Sequence, residues 1–161
     1  MIHNRTIRHW VATACLIGGS AVAYAEPASP RDEIQATVDA VNAAVMGGIS
    51  PAGLAEMLFA PDVVGVGEGE SDATRGMAAN TKAVEEHWAG MGPDGQKKCT
   101  LALTEDAGVS SPDTYASFFT LHCEPNPPVV TETSDIRGIY VWKKLPQGWR
   151  VALEIWGVGK L

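Results

Sequence analysis

From Pro30 onward the apolar positions recur at helical spacing, with Ile34, Val38, Val41 and Val45 on one face. Ser29 stands as the cap, Pro30 at the first helical position and Asp32 in the first turn, which together open a helix. Gly47-Gly48 ends it. Ser50-Pro51 starts a second, shorter helix that turns Leu54, Met57 and Leu58 inward, and residues 62–66 read as a brief strand. Past Arg75-Gly76 a third helix carries Met77, Thr81, Val84 and Trp88 at spacings of four, three and four, so Trp88 points to the core. Residues 90–95 form a turn-rich exit. Beyond Lys97 the period drops to two, in runs at 97–104, 114–123, 135–143 and 149–157. Glu124-Pro125-Asn126-Pro127-Pro128 cannot donate normally to a sheet and is predicted to be an extended loop over one end of it. The order is helix, helix, strand, helix, then four strands.

Strand registers follow from sorting the faces. Placing Trp142 opposite Trp149, with 144–147 as the turn, puts Ile136, Gly138, Tyr140 and Trp142 on one face with Trp149, Val151, Leu153 and Ile155. The other face carries Arg137, Ile139, Val141 and Lys143 with Arg150, Ala152 and Glu154, and sets Arg137 across from Glu154 as an opposite-charge pair. In the preceding hairpin, Cys99, Leu101 and Leu103 fall opposite Cys123, Leu121 and Phe119, so one register serves both the apolar face and the cysteines. A Cys99–Cys123 disulfide is the expectation, with two buried thiols on a packed face as the alternative.

Charge and composition change this picture at the N-terminus. Arg5 and Arg8 precede an apolar run from Trp10 to Val22 that ends in Ala23-Tyr24-Ala25, the three-part pattern of a secretory signal cleaved after Ala25. The run is shorter than the roughly 20 apolar residues that a spanning helix needs, and a lipid anchor at Cys15 is the lesser option. Residues 1–25 are therefore set aside as signal and 26–161 read as one domain, periplasmic or secreted, in a compartment that favours disulfides. The net charge of −7 becomes −9 without the signal, 10 basic groups against 19 acidic. Such a surface repels phosphate backbones, which argues against nucleic acid as a partner, and no basic amphipathic stretch points to a membrane surface.

Phe59-Ala60-Pro61-Asp62-Val63-Val64, Arg75-Gly76, and the closing Tyr140-Val141-Trp142-Lys143-Lys144 with Gly148-Trp149-Arg150-Val151 resemble the nuclear transport factor 2-like superfamily, in its SnoaL-like or ketosteroid-isomerase-like secreted branch. The resemblance covers nearly all of residues 26–161. It implies an α+β cone in which a curved antiparallel sheet wraps over three N-terminal helices (α-α-β-α-β-β-β-β), encloses an apolar pocket, and often dimerises through the outer face of the sheet. Relatives commonly carry a polar residue, often histidine, two positions after the one matching Val151. Here that position is Leu153. The tyrosine and paired aspartates of ketosteroid isomerases find no matching positions.

The predicted inward faces hold Tyr115, Ser117, Phe119, Leu121, Tyr140, Trp142, Trp149, Val151 and Leu153, with no acid among them. Trp88, Tyr115, Tyr140, Trp142 and Leu153 are the expected ligand-binding residues. Asp62, Glu85 and His87 are the candidate proton carriers, none singled out over the others. The acidic loop from Glu68 to Asp72 lacks the ligand spacing of an EF-hand and reads as solvated, so no metal and no cofactor is expected. Trp156 alternates onto the outer face with Ile139 and Val141, where it fits a dimer contact. Three readings stay open, in this order: binding of a small, largely apolar molecule; an isomerase, dehydratase or cyclase type of acid-base enzyme; and a dimeric docking module.

Overall fold

The computed structural model describes residues 28–124 and 135–158. The segment expected to be a signal and most of the proline-rich stretch lie outside them. Helix α1 (Pro30–Met46) and helix α2 (Pro51–Leu58) come first, then β1 (Phe59–Gly67), a two-residue strand β2 (Thr74–Arg75), helix α3 (Gly76–Met91), a single 3-10 turn (Gly95–Lys98), and strands β3 (Cys99–Ser110), β4 (Thr114–Cys123), β5 (Ile136–Leu145) and β6 (Gly148–Val158). The strands form one curved sheet in the order β2-β1-β6-β5-β4-β3. The three helices pack on its concave side, which makes an α+β cone.

Local chemistry explains the helix starts. Ser29 Oγ accepts from Asp32 N–H at 3.2 Å while the Asp32 carboxylate accepts from Ser29 N–H at 3.3 Å, a reciprocal capping box. Ser50 Oγ accepts from Gly53 N–H at 3.1 Å and caps α2. The stripe Ile34, Val38, Val41 and Val45 is buried against Leu54, Leu58, Phe59, Val63, Trp142, Trp149 and Val151. Polar ties also hold α1 to the sheet. The Asn42 amide donates to Leu101 C=O at 2.8 Å and accepts from Leu101 N–H at 2.9 Å, and Glu33 accepts from Trp149 Nε1 at 2.7 Å and from Lys144 Nζ at 2.6 Å. These donors hold the Glu33 carboxyl below the usual glutamate range.

The β3–β4 register is the expected one, with Cys99 opposite Cys123, Leu101 opposite Leu121 and Leu103 opposite Phe119. Cys99 and Cys123 are disulfide-bonded. In the chain-entropy picture, closing a loop of this size contributes on the order of 3 kcal/mol.

Three expectations are corrected. The sheet is mixed, because β1 runs parallel to β6. A chain read in order cannot show this pairing, which joins elements separated by four strands and a helix. The β5–β6 hairpin turns tightly, with Leu145 opposite Gly148 and Trp142 opposite Val151 instead of Trp149. Finally, β6 carries a bulge. Trp142 pairs with Val151 but Val141 pairs with Leu153, so Ala152 is an extra residue and the alternation of faces reverses beyond it. Arg137 therefore lies opposite Gly157, and Glu154 lies opposite Tyr140 on the concave face. Leu153 and Ile155 turn outward. Trp156, expected outside, turns in.

Candidate functional site

A cavity of about 290 Å³ lies between the concave face and the helices. Its apolar wall comes from α1 and α2 (Val41, Val45, Leu54, Leu58), from Phe59, and from the sheet residues Leu101, Phe119 and Leu121. α3 adds Asn80, Val84, His87, Trp88 and Met91 at helical spacing. Past the bulge, β6 contributes Glu154 and Trp156.

Glu154 is the chemical centre. Its cross-strand neighbours are Tyr140 on β5 and Gly65 on β1. Gly65 leaves room beside it: a side-chain carbon built there would sit 3.1 Å from Asn80 Oδ1 and 3.9 Å from Glu154 Oε2. Burial among these walls pushes the Glu154 carboxyl up to about 7, against the opposing pull of a hydrogen bond from the Tyr140 hydroxyl, and the nearby Glu70 carboxylate adds to the rise. Tyr140 is itself buried, stacked on Phe119 at 3.8 Å and edge-on to Trp142 at 5.4 Å, so its ring has one orientation. Burial and the adjacent carboxylate hold its hydroxyl well above the normal phenol range, and it stays a donor at neutral pH. Asn80 is only 3% exposed. It donates to Gly76 C=O at 3.0 Å and accepts from Thr74 Oγ1 at 3.4 Å, and these bonds fix its amide at the cavity wall.

Of the residues expected to bind a ligand, the structure brings Trp88 and Tyr140 to the cavity. Trp142 is fully buried behind Tyr140 and donates through Nε1 to Ser117 Oγ at 2.9 Å, a core role. Tyr115 is buried outside the cavity lining and donates to Asp106, which also pairs with Arg31. Leu153 is turned to the outer face by the bulge. Among the candidate proton carriers, Asp62 is exposed, 3.9 Å from Lys143 Nζ, and Glu85 is exposed, both away from the cavity. His87 lines the cavity from an exposed position, where partial burial lowers its pKa. The expectation of an acid-free interior is overturned by Glu154, which strict alternation had set outside. The available signal was Gly138, a glycine inside a strand, which marks a bulge or a close backbone approach. Asn80 was legible too, one residue before Thr81 on the inward stripe of α3. Among the described residues, no three His, Cys, Asp or Glu side chains converge to hold a metal ion.

No family model and no curated protein matches the chain. Solved structures do. An NTF2-like protein with a cystatin-like fold from Novosphingobium aromaticivorans superposes with a TM-score of 0.60 at 16% identity, covering 80% of this chain and 81% of that one. An NTF-2 like protein of unknown function from Shewanella oneidensis gives 0.63 at 10% identity, covering 80% and 98%. A ketosteroid isomerase-like protein from Erwinia carotovora atroseptica gives 0.52 at 13% identity, covering 78% and 96%. At these identities the similarity is one of architecture: the chain has the NTF2-like fold.

Proposed function

We propose that this NTF2-like cone binds a small, largely apolar molecule and exchanges a proton with it through Glu154, as an isomerase or dehydratase type of acid-base enzyme. One observation carries this reading: the cavity holds a carboxyl whose pKa is about 7, with an oriented phenol beside it. A group half ionised at neutral pH both accepts and returns a proton efficiently. Tyr140, kept protonated, donates to an oxygen on which charge develops. A cavity near 290 Å³ stands at the small end of ligand pockets and suits a compact body. The ketosteroid isomerase-like neighbour is consistent with proton-transfer chemistry in this architecture.

Export and self-association belong to the same proposal. The signal pattern at residues 1–25 and the Cys99–Cys123 disulfide support a periplasmic or secreted site of action. Association of two copies through the outer sheet face is supported by the cross-strand row Val66, Ile155, Ile139 and Phe118, in which Val66 and Ile155 are 40% and 46% exposed. Ile155 there takes the place expected of Trp156.

Turnover of a panel of small enolisable ketones and β-hydroxy carbonyl compounds tests the enzymatic reading. The expected result is a rate that rises with pH through about 7 for proton abstraction, and a Tyr140→Phe variant whose profile moves to higher pH, as the hydrogen bond to Glu154 is lost, and whose kcat falls by about 10²–10³. A panel turned over at background rate across pH 5–9 would leave a binding protein without catalysis.

A further inference from the structure

We infer that the ligand of this cavity carries a positive charge, a basic amine on a compact apolar body, and that carboxylates and phosphates are excluded. The inference deepens the function proposed above and rests on the same cavity. Three carboxylates line the cavity: Glu154 in the wall, and Glu70 and Glu86 where the loop after β1 and helix α3 come to the surface. No lysine or arginine lines it among the described residues. Lys82 pairs with Glu86 on an exposed stretch of α3 at 3.5 Å and offsets its charge, so Glu70 and Glu154 supply the negative field, and Lys97 pairs with Asp94 at 2.9 Å. His87 has a lowered pKa and brings no cation at neutral pH. An anion entering here would lose its hydration with no positive partner to replace it.

The same walls suit an ammonium group. Trp88 and Trp156 line the cavity along with the carboxylates, and the aromatic face is the second element of a site for organic cations. The indole of Trp156 lies across Gly67, where an added side-chain carbon would meet its ring at 2.5 Å and Glu70 Cδ at 2.7 Å. Glycine at this position thus lets an aromatic ring and a carboxylate approach one another. Glu70 is held there, since its Oε2 accepts from Gly67 N–H at 3.1 Å. An amine at this end leaves the apolar body to reach Val41, Val45, Leu54 and Leu58 deeper in.

The test is calorimetric or NMR-detected binding of 2-phenylethylamine, 2-phenylethanol and phenylacetate, one apolar body carrying positive, no and negative charge. It is run at pH 8 and low salt on the folded wild type and on Glu70→Gln, in which the side-chain oxygen that accepts from Gly67 is retained. The expected order is amine, alcohol, carboxylate, with the amine about tenfold or more tighter than the carboxylate, and a smaller gap in Glu70→Gln and at high salt. An equal or reversed order, a gap unchanged in Glu70→Gln, or no binding of any member overturns the inference. The result is separable from catalysis. An amine preference without turnover of any substrate refutes only the enzymatic reading, and Glu154-dependent turnover with no amine preference refutes only this one.

Discussion

Glu154→Gln is expected to lower turnover by about 10²–10⁴-fold while making the protein more stable above pH 7. The two effects have one cause. A glutamate whose folded pKa is raised from 4.5 to about 7 is more easily protonated in the fold than in the unfolded chain. Below pH 4.5 both states hold the proton and no penalty exists. Between 4.5 and 7 the unfolded chain ionises first, so stability falls as pH rises. Above 7 the whole cost of an ionised carboxylate in the cavity wall is present, roughly 3 kcal/mol at 1.36 kcal/mol per pH unit. Glutamine removes that cost and keeps an oxygen for the Tyr140 hydroxyl, but it cannot carry the proton. Denaturant unfolding at pH 4.5 and 8.5 measures the stability arm: wild type and variant should be close at the lower pH and separate at the higher one. A wild-type stability that is flat across this interval would contradict the assignment.

Gly138→Ala is expected to cost about 3 kcal/mol or more, among the larger effects of a single substitution. A side-chain carbon at this position would fall 1.9 Å from Ile155 C=O and 2.9 Å from the Phe119 ring. The first contact is with backbone, which cannot swing aside as a side chain does. Relief requires β5 and β6 to separate just where the bulge has reset their register, so the substitution should also displace Glu154 and Trp156. Gly90→Ala is the natural control, because nothing lies within 4 Å of the added carbon on the α3 surface. It should gain about 0.4–1 kcal/mol through the unfolded state alone. Thermal unfolding of the two variants, with Glu154-dependent turnover as a second readout, separates local strain from general fragility.

The contrast between these glycines shows what could be read from the chain. Helix stripes were legible because burial repeats every three or four residues, and Ile34, Val38, Val41 and Val45 all reached the core. The β3–β4 register was legible because two cysteines and two apolar pairs select the same alignment. In the closing hairpin the faces, though not the pairing, were legible as far as Val151. Alternation carries no information about an inserted residue, and a single bulge at Ala152 exchanges inside for outside in everything after it. The candidate site lies beyond that point, so Glu154 and Trp156 were assigned to the wrong face while Tyr140, on the unbulged strand, was assigned correctly. Tyr115 and Trp142 face inward as expected yet miss the cavity, because an inward face serves core and pocket alike and only the packing of α1 and α3 divides them.

The most direct measurement is the titration of Glu154 itself, by carboxyl-carbon NMR of glutamate-labelled protein, with the resonance assigned by its loss in Glu154→Gln. A midpoint near 7 that shifts upward in Tyr140→Phe, where the hydrogen bond to the carboxylate is gone, is the expected result. A midpoint near 4.5, indifferent to Tyr140, would place the carboxyl in water and remove the proton carrier from the cavity.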